Sequence, residues 1–315
     1  DYIHKYLKYK TKYLKLKNII SGGKENNKHT KYAWVILLML GDKYMPGVLT
    51  TAKSLRNVGT KYDIVCMVTN DVSSDAINDL KNIYDHIIKI DFISHPSYRS
   101  QYKKIVRDEQ TNWYDQSFTK WQCLNFTQYE KVLLIDADTL VLENCDDLFN
   151  LKTPSAPFSN SISKRYVKNG LIDVYTDNGN KKLKTGNIIS KDLILKSLRL
   201  GHRSFTLTAC LVLLKPDKNK FKELLNIINS EKVFGEKWKS TSGGDEISIA
   251  LLYDIWYYIE PHTIYPPWKQ NILNKKIRIN HYMGKNFWDM KKDEWDDLKS
   301  LWETLESIPG YEKWI

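Results

Sequence analysis

Lys131-Val132-Leu133-Leu134-Ile135 runs without a break into Asp136-Ala137-Asp138. Four consecutive apolar residues leave neither face of a strand for water, so the segment belongs inside a sheet covered on both sides, as in parallel α/β architectures. The preceding chain fits the same frame. Ala33–Leu40, Tyr62–Val68 and His86–Asp91 read as strands, and Gly47–Val58 and Asp75–Tyr84 between them read as helices. Asp71, Ser73 and Ser74 offer capping oxygens for the second helix. Strand, helix and strand in succession imply right-handed crossovers and a nucleotide-binding type of sheet.

Beyond the acidic motif the elements become sparser. Gln116–Tyr129, Lys220–Ile228 and a segment from Ser242 through Tyr253 are expected as helices, and Thr208–Leu214 and Lys276–His281 as strands. Asp293–Leu305 sets Trp295, Leu298, Leu301, Trp302 and Leu305 on one helical face, so a C-terminal helical segment over 289–315 is expected to pack on the body. Residues 150–203 are rich in Lys, Asn, Gly and Ser with weak periodicity, which predicts a long loop or small elaboration. The fold class is therefore α/β, a mixed and mainly parallel central sheet flanked by helices. Residues 31–315 are expected to form one catalytic domain.

Residues 1–30 differ in character. Tyr2, Tyr6, Tyr9, Tyr13, Leu16 and Ile20 alternate at spacings of four and three among many lysines, which predicts a basic amphipathic helix followed by a linker. Such a short helix needs a partner, and a homo-oligomer is one way to supply it. Much of the net charge of +11 sits there, so the body is nearer neutral and specific nucleic-acid binding is not expected. The four cysteines have no metal-ligand or redox spacing. With no secretory signal and no apolar run of membrane-spanning length, a cytoplasmic protein without membrane insertion is expected. The wealth of Lys, Asn, Ile and Tyr suits an AT-rich genome such as that of a large virus or protist.

Asp136 and Asp138 lie two positions apart where a buried strand leaves the sheet, so both carboxylates can reach one cation. Hard cations such as Mn2+ or Mg2+ prefer carboxylate oxygen and neutralise charge growing on a departing diphosphate. The bland counterpart is a pair of solvated acids opening a turn.

Asp136-Ala137-Asp138-Thr139-Leu140-Val141-Leu142, followed by Asp146-Asp147-Leu148-Phe149, closely resembles the glycogenin-like branch of glycosyltransferase family 8. Thr119-Lys120 and the segment Leu124–Tyr129 continue the likeness upstream. Gly243-Gly244-Asp245-Glu246 is similar to the family's GGDQ, and His281-Tyr282-Met283-Gly284 to its HFxG element. The resemblance implies a GT-A fold, a retaining transfer from a UDP-sugar and a manganese ion held by Asp136, Asp138 and His281. It further implies that Asp245 and Lys120 act at the reacting sugar. Leu38, Leu40 and Tyr44 would hold the nucleoside, with Arg107, Gly284 and Lys285 near the phosphates. Ala137, Thr208, Ala209 and Glu246 would complete the donor site.

Four departures accompany the likeness. Ser242 stands where glycogenins usually carry Asp, Glu246 replaces Gln, Thr208-Ala209-Cys210 replaces NSG, and the element after Gly284 is rearranged. Together with the expanded region 150–203 they suggest a donor or acceptor different from glycogenin's. UDP-glucose is the first donor to consider, and the acceptor is expected to be a protein or glycan, including the chain's own tyrosines. Two other readings of the same residues stand beside this one. A haloacid-dehalogenase phosphatase also places DxD after an apolar strand, although its fifth motif position is here Leu140. A non-catalytic nucleotide-sugar-binding or scaffold protein would tolerate the departures.

Overall fold

The computed structural model describes residues 29–96, 113–159, 183–199, 206–230, 243–268, 273, 275–283, 286–291 and 296–315. The expected N-terminal helix lies outside these, as do Arg107, Gly284 and Lys285.

The first half follows the predicted alternation. Strands β1 (Tyr32–Leu38), β2 (Asp63–Val68) and β3 (His86–Lys89) are joined by helices α1 (Met45–Asn57) and α2 (Ser74–Leu80). Ser73 caps α2, its side chain accepting from Ala76 N at 3.1 Å, which satisfies one of the amides a helix start leaves unpaired. Helix α1 opens with Pro46 in its first turn, where the missing N–H costs nothing, and Gly59 follows its end at φ 70°. All three strands run parallel, and β1 also pairs in parallel with β4 (Lys131–Ile135).

Beyond β4 the sheet turns mixed. The later strands are β5 (Thr139–Val141), β6 (Ser155–Ser159), β7 (Ile188–Ser190), β8 (Thr206–Leu207), β9 (Leu211–Leu214), β10 (Ile255–Ile259), β11 (Ile264–Tyr265) and β12 (Ile279–His281). The main sheet runs β3-β2-β1-β4-β9-β6-β10-β7, with β8 paired to β6, and β11-β12-β5 form a small second sheet. The remaining helices are α3 (Lys191–Arg199), α4 (Lys218–Ile228), α5 (Gly244–Leu252) and α6 (Asp296–Glu306).

Strand alternation divides the core in two. Trp34, Ile36, Leu133 and Ile135 point to one face and pack with α1 and with Leu301 and Leu305 of α6. Ala33, Val35, Val132 and Leu134 point to the other, against Trp121, Leu224 and Ile249. A strand enclosed this way must be apolar at every position, which is why Val132–Ile135 reads as an unbroken hydrophobic run.

Three expectations need correction. Gln116–Tyr129 is no α-helix through its length: Ser117–Asn125 is 3-10 helical. Phe118, Trp121 and Leu124, all fully buried, recur every third residue, and a three-residue turn keeps them on one face. Thr208–Leu214 is shorter than expected, because residues 208–210 lie between β8 and β9 and the strand begins at Leu211. The region 150–203 is not merely a loop, since β6 lies within the main sheet, parallel to β10 and antiparallel to β9. Its Ser-Ala-Pro-Phe-Ser sequence is short, small and interrupted by proline, a weak strand former, so tertiary pairing imposed the conformation.

Candidate active site

Asp136 and Asp138 occupy the turn that carries the chain from β4 in the large sheet to β5 in the small one. Backbone bonds hold this turn at several points. Asp136 N donates to Cys210 O at 3.0 Å, and Thr139 Oγ1 donates to Asp136 O at 3.0 Å. Helix α1 presses from the side, with Thr51 Oγ1 donating to Ala137 O at 3.1 Å. A Cβ on Gly47 would stand 2.5 Å from that same Ala137 oxygen, so the approach requires glycine.

The antiparallel pairing of β12 with β5 sets His281 opposite Thr139, and Tyr282 N donates to Asp138 O at 2.9 Å. In this register the imidazole comes to the two carboxylates. His281 Nε2 lies 3.2 Å from Asp138 Oδ1 and 3.8 Å from Asp136 Oδ2. One ligand atom from each of the three residues fits within a 4.8 Å cluster. Two carboxylates and one imidazole so spaced suit a divalent ion bound at about 2.1 Å.

Lys120 stands behind the acids. Its ammonium is 3.1 Å from Asp136 Oδ1 and 3.4 Å from Asp245 Oδ2, and its side chain is only 8% exposed, so the charge depends on these partners. Asp245 lies in the first turn of α5, where the helix dipole also favours an acid. Glu246 beside it accepts from Ala209 N and Gly243 N, each at 3.2 Å, and so ties α5 to the segment between β8 and β9.

The electrostatics follow from crowding. Burial opposes charge on Lys120, yet Asp136 and Asp245 hold its pKa above the ordinary lysine value. Burial and Asp138 push Asp136 upward against the pull of Lys120. Burial also disfavours charge on Asp138, but attraction to His281 outweighs it and the pKa falls. His281 is raised, because Asp138 and Cys210 overcome its burial. Glu246 is pushed up to about 7 by burial and by the neighbouring Asp245.

The nucleoside candidates divide. Tyr44 is half-buried at the start of α1, close enough to Asp138 and Asp136 that burial and their charge raise its phenol to about 12. Leu40 is half-buried in a left-handed conformation, φ 63°. Leu38 is fully buried in the core under α1. Thr208 N donates to Pro157 O at 2.9 Å, and Ala209 meets Glu246. Three neighbours escaped sequence reasoning. Cys210 lies beside His281 and helps to raise its pKa, Trp288 packs edge-on to Tyr44 with centroids 5.2 Å apart, and Gly47 admits the Ala137 carbonyl. Gly47, following Pro46 in a first helical turn, was the one legible signal.

Known proteins share parts of this sequence and its overall fold. A family model described as "Mannosyltransferase putative" matches residues 35–153. Uncharacterized protein R707 of Acanthamoeba polyphaga mimivirus is 27% identical over 273 residues, covering 79% of this chain and 86% of that one. Glycogenin-1 of Caenorhabditis elegans is 38% identical over 118 residues, 37% of this chain, which spans only 26% of the glycogenin's length. Among solved structures, the galactosyltransferase LgtC in complex with donor and acceptor sugar analogs superposes with a TM-score of 0.55 at 14% identity, covering 88% of this chain and 96% of that one. Among the described residues no helix is long and apolar enough to cross a membrane. Around the acidic strand the chain is similar in sequence to glycogenins, and over most of its length it has the GT-A glycosyltransferase fold.

Proposed function

We propose that the chain is a retaining, metal-dependent hexosyltransferase that draws on a UDP-sugar, UDP-glucose first among them, and glycosylates a protein or glycan acceptor. Its chief support is the convergence of Asp136, Asp138 and His281 beside the Lys120–Asp245 pair. The acids and the imidazole would hold Mn2+ or Mg2+, which when bound neutralises negative charge on the leaving diphosphate. Lys120 and Asp245 present a buried donor and acceptor to sugar hydroxyls, fixed by each other before substrate arrives. Tyr44 and Leu40 would border the nucleoside. Lys285, Gly284 and Arg107 remain assigned to the phosphates on sequence likeness.

The arrangement fits the rivals less well. A haloacid-dehalogenase phosphatase is less well supported, since Leu140 stands at the fifth position of its motif. A pure scaffold would have no need of buried charges packed this densely. The likeness to a mimivirus protein fits the compositional expectation of a large virus as source.

The test is release of free nucleotide from a panel of UDP- and GDP-sugars, with and without Mn2+, by wild type and Asp138→Asn. Metal-dependent release by wild type alone is expected. Hydrolysis of a generic phosphomonoester without nucleotide-sugar turnover would instead select the phosphatase. Intact mass after incubation with the active donor tests self-glycosylation, and an unchanged mass rejects it. Scattering mass with and without residues 1–30 tests oligomerisation through that segment.

A further inference from the structure

A second group of metal-ligating side chains lies at the other end of the sheet. Thr30 and Lys31 lead into β1, and His29 just before them meets Asp63 at the start of β2 and His86 at the start of β3. His86 Nε2 stands 3.2 Å from Asp63 Oδ2, and His29 Nδ1 stands 3.6 Å from that oxygen. The two imidazole rings are 4.4 Å apart between centroids. Ligand atoms of all three residues fall within 4.8 Å of one another.

We propose that His29, Asp63 and His86 form a structural site for a zinc-class divalent ion, separate from the transfer centre. Ligands about 2.1 Å from a tetrahedral ion lie about 3.4 Å apart, which is the spacing Asp63 Oδ2 already keeps to both imidazoles. Asp63 Oδ2 is also crowded with donors: Tyr129 Oη at 2.9 Å and Thr30 N at 3.2 Å reach it besides the histidines. A cation takes the place of the imidazole protons there and leaves Tyr129 and Thr30 as the outer hydrogen bonds that orient the carboxylate.

The two sites differ in chemistry as well as place. Two imidazoles and one carboxylate favour zinc-class ions, whereas two carboxylates and one imidazole at Asp136, Asp138 and His281 suit harder ones. Asp63 pairs with Ala33, and Ala33 with Val132 near the start of β4, while Asp136 follows the end of β4. Four residues along the strand, about 13 Å, and two strand spacings across the sheet, about 10 Å, therefore separate the two groups by roughly 16 Å. A bound ion would pin residues 29–31 to the starts of β2 and β3.

The experiment uses full-length, chelator-stripped protein carrying Asp138→Asn and His281→Ala, so that the transfer centre no longer competes. Zinc is titrated against a chromophoric chelator, and the zinc-edge absorption spectrum reports the number of imidazoles. One bound zinc with two imidazole ligands is expected, with affinity falling about tenfold or more in His86→Ala and in His29→Ala. His29 is partly exposed, so its variant keeps the test valid should His86→Ala fail to fold. Absence of bound zinc, zinc without imidazole ligands, or affinity unchanged from the parent protein in both variants overturns the proposal.

Discussion

The ammonium of Lys120 lies 3.1 Å from Oδ1 of Asp136, so the acid that opens the DxD turn is neutralised from behind while its other oxygen faces His281. Removing the lysine strips a buried counter-charge from Asp136 and Asp245 together. Lys120→Ala is expected to lose about 3 kcal/mol of stability in urea unfolding, in addition to its transfer activity. Undiminished stability would show that the pair is bridged in another way.

Gly47 touches the site only through its lack of a side chain. Gly47→Ala places a carbon against the Ala137 carbonyl and the Trp288 ring, 2.5 and 3.0 Å away before any relaxation. We expect a stability loss of roughly 1–3 kcal/mol and weaker Mn2+ binding by calorimetry, although no ligand is changed. Unaltered metal affinity would mean that the turn has slack.

Glu246 makes stability depend on pH with a definite sign. Its pKa rises from 4.5 unfolded to about 7 folded, so the folded chain holds the proton longer. Its contribution is full below about pH 4.5 and declines as pH rises through 7, by about 3 kcal/mol at most. Glu246→Gln is expected to flatten this part of the profile and to melt higher than wild type at pH 8. Parallel melting curves of the two proteins across pH 5–8 would contradict the assignment.

Tyr44 packs against Trp288 and lies near the metal acids, a position suited to a nucleoside base. Tyr44→Ala is expected to weaken UDP binding about tenfold in calorimetry, with Tyr44→Phe closer to wild type. Equal affinities in all three would remove Tyr44 from the donor site.

The central sheet was readable because enclosure on both faces demands an unbroken apolar run, and Val132–Ile135 and Ile64–Val68 carry that signature locally. Strand β6 was not readable. Its five residues include a proline and two serines, weak strand formers, and are held as a strand by pairing with β9 and β10. The 3-10 segment was legible in the threefold spacing of Phe118, Trp121 and Leu124, a period easily taken for a ragged α-helix.

By itself the sequence determined an α/β chain, an acidic pair at the mouth of a buried strand and a likeness to glycogenin-like transferases, because each of these is carried by short local segments. The family likeness nominated His281, Lys120 and Asp245, but only the tertiary structure brought them onto that pair, and only it decided that Cys210, Trp288 and Gly47 surround it and that His29, Asp63 and His86 meet at the opposite end. These neighbours are separated by tens to well over a hundred residues. Which of them touch depends on strand register and helix approach, and those are set by packing the whole core.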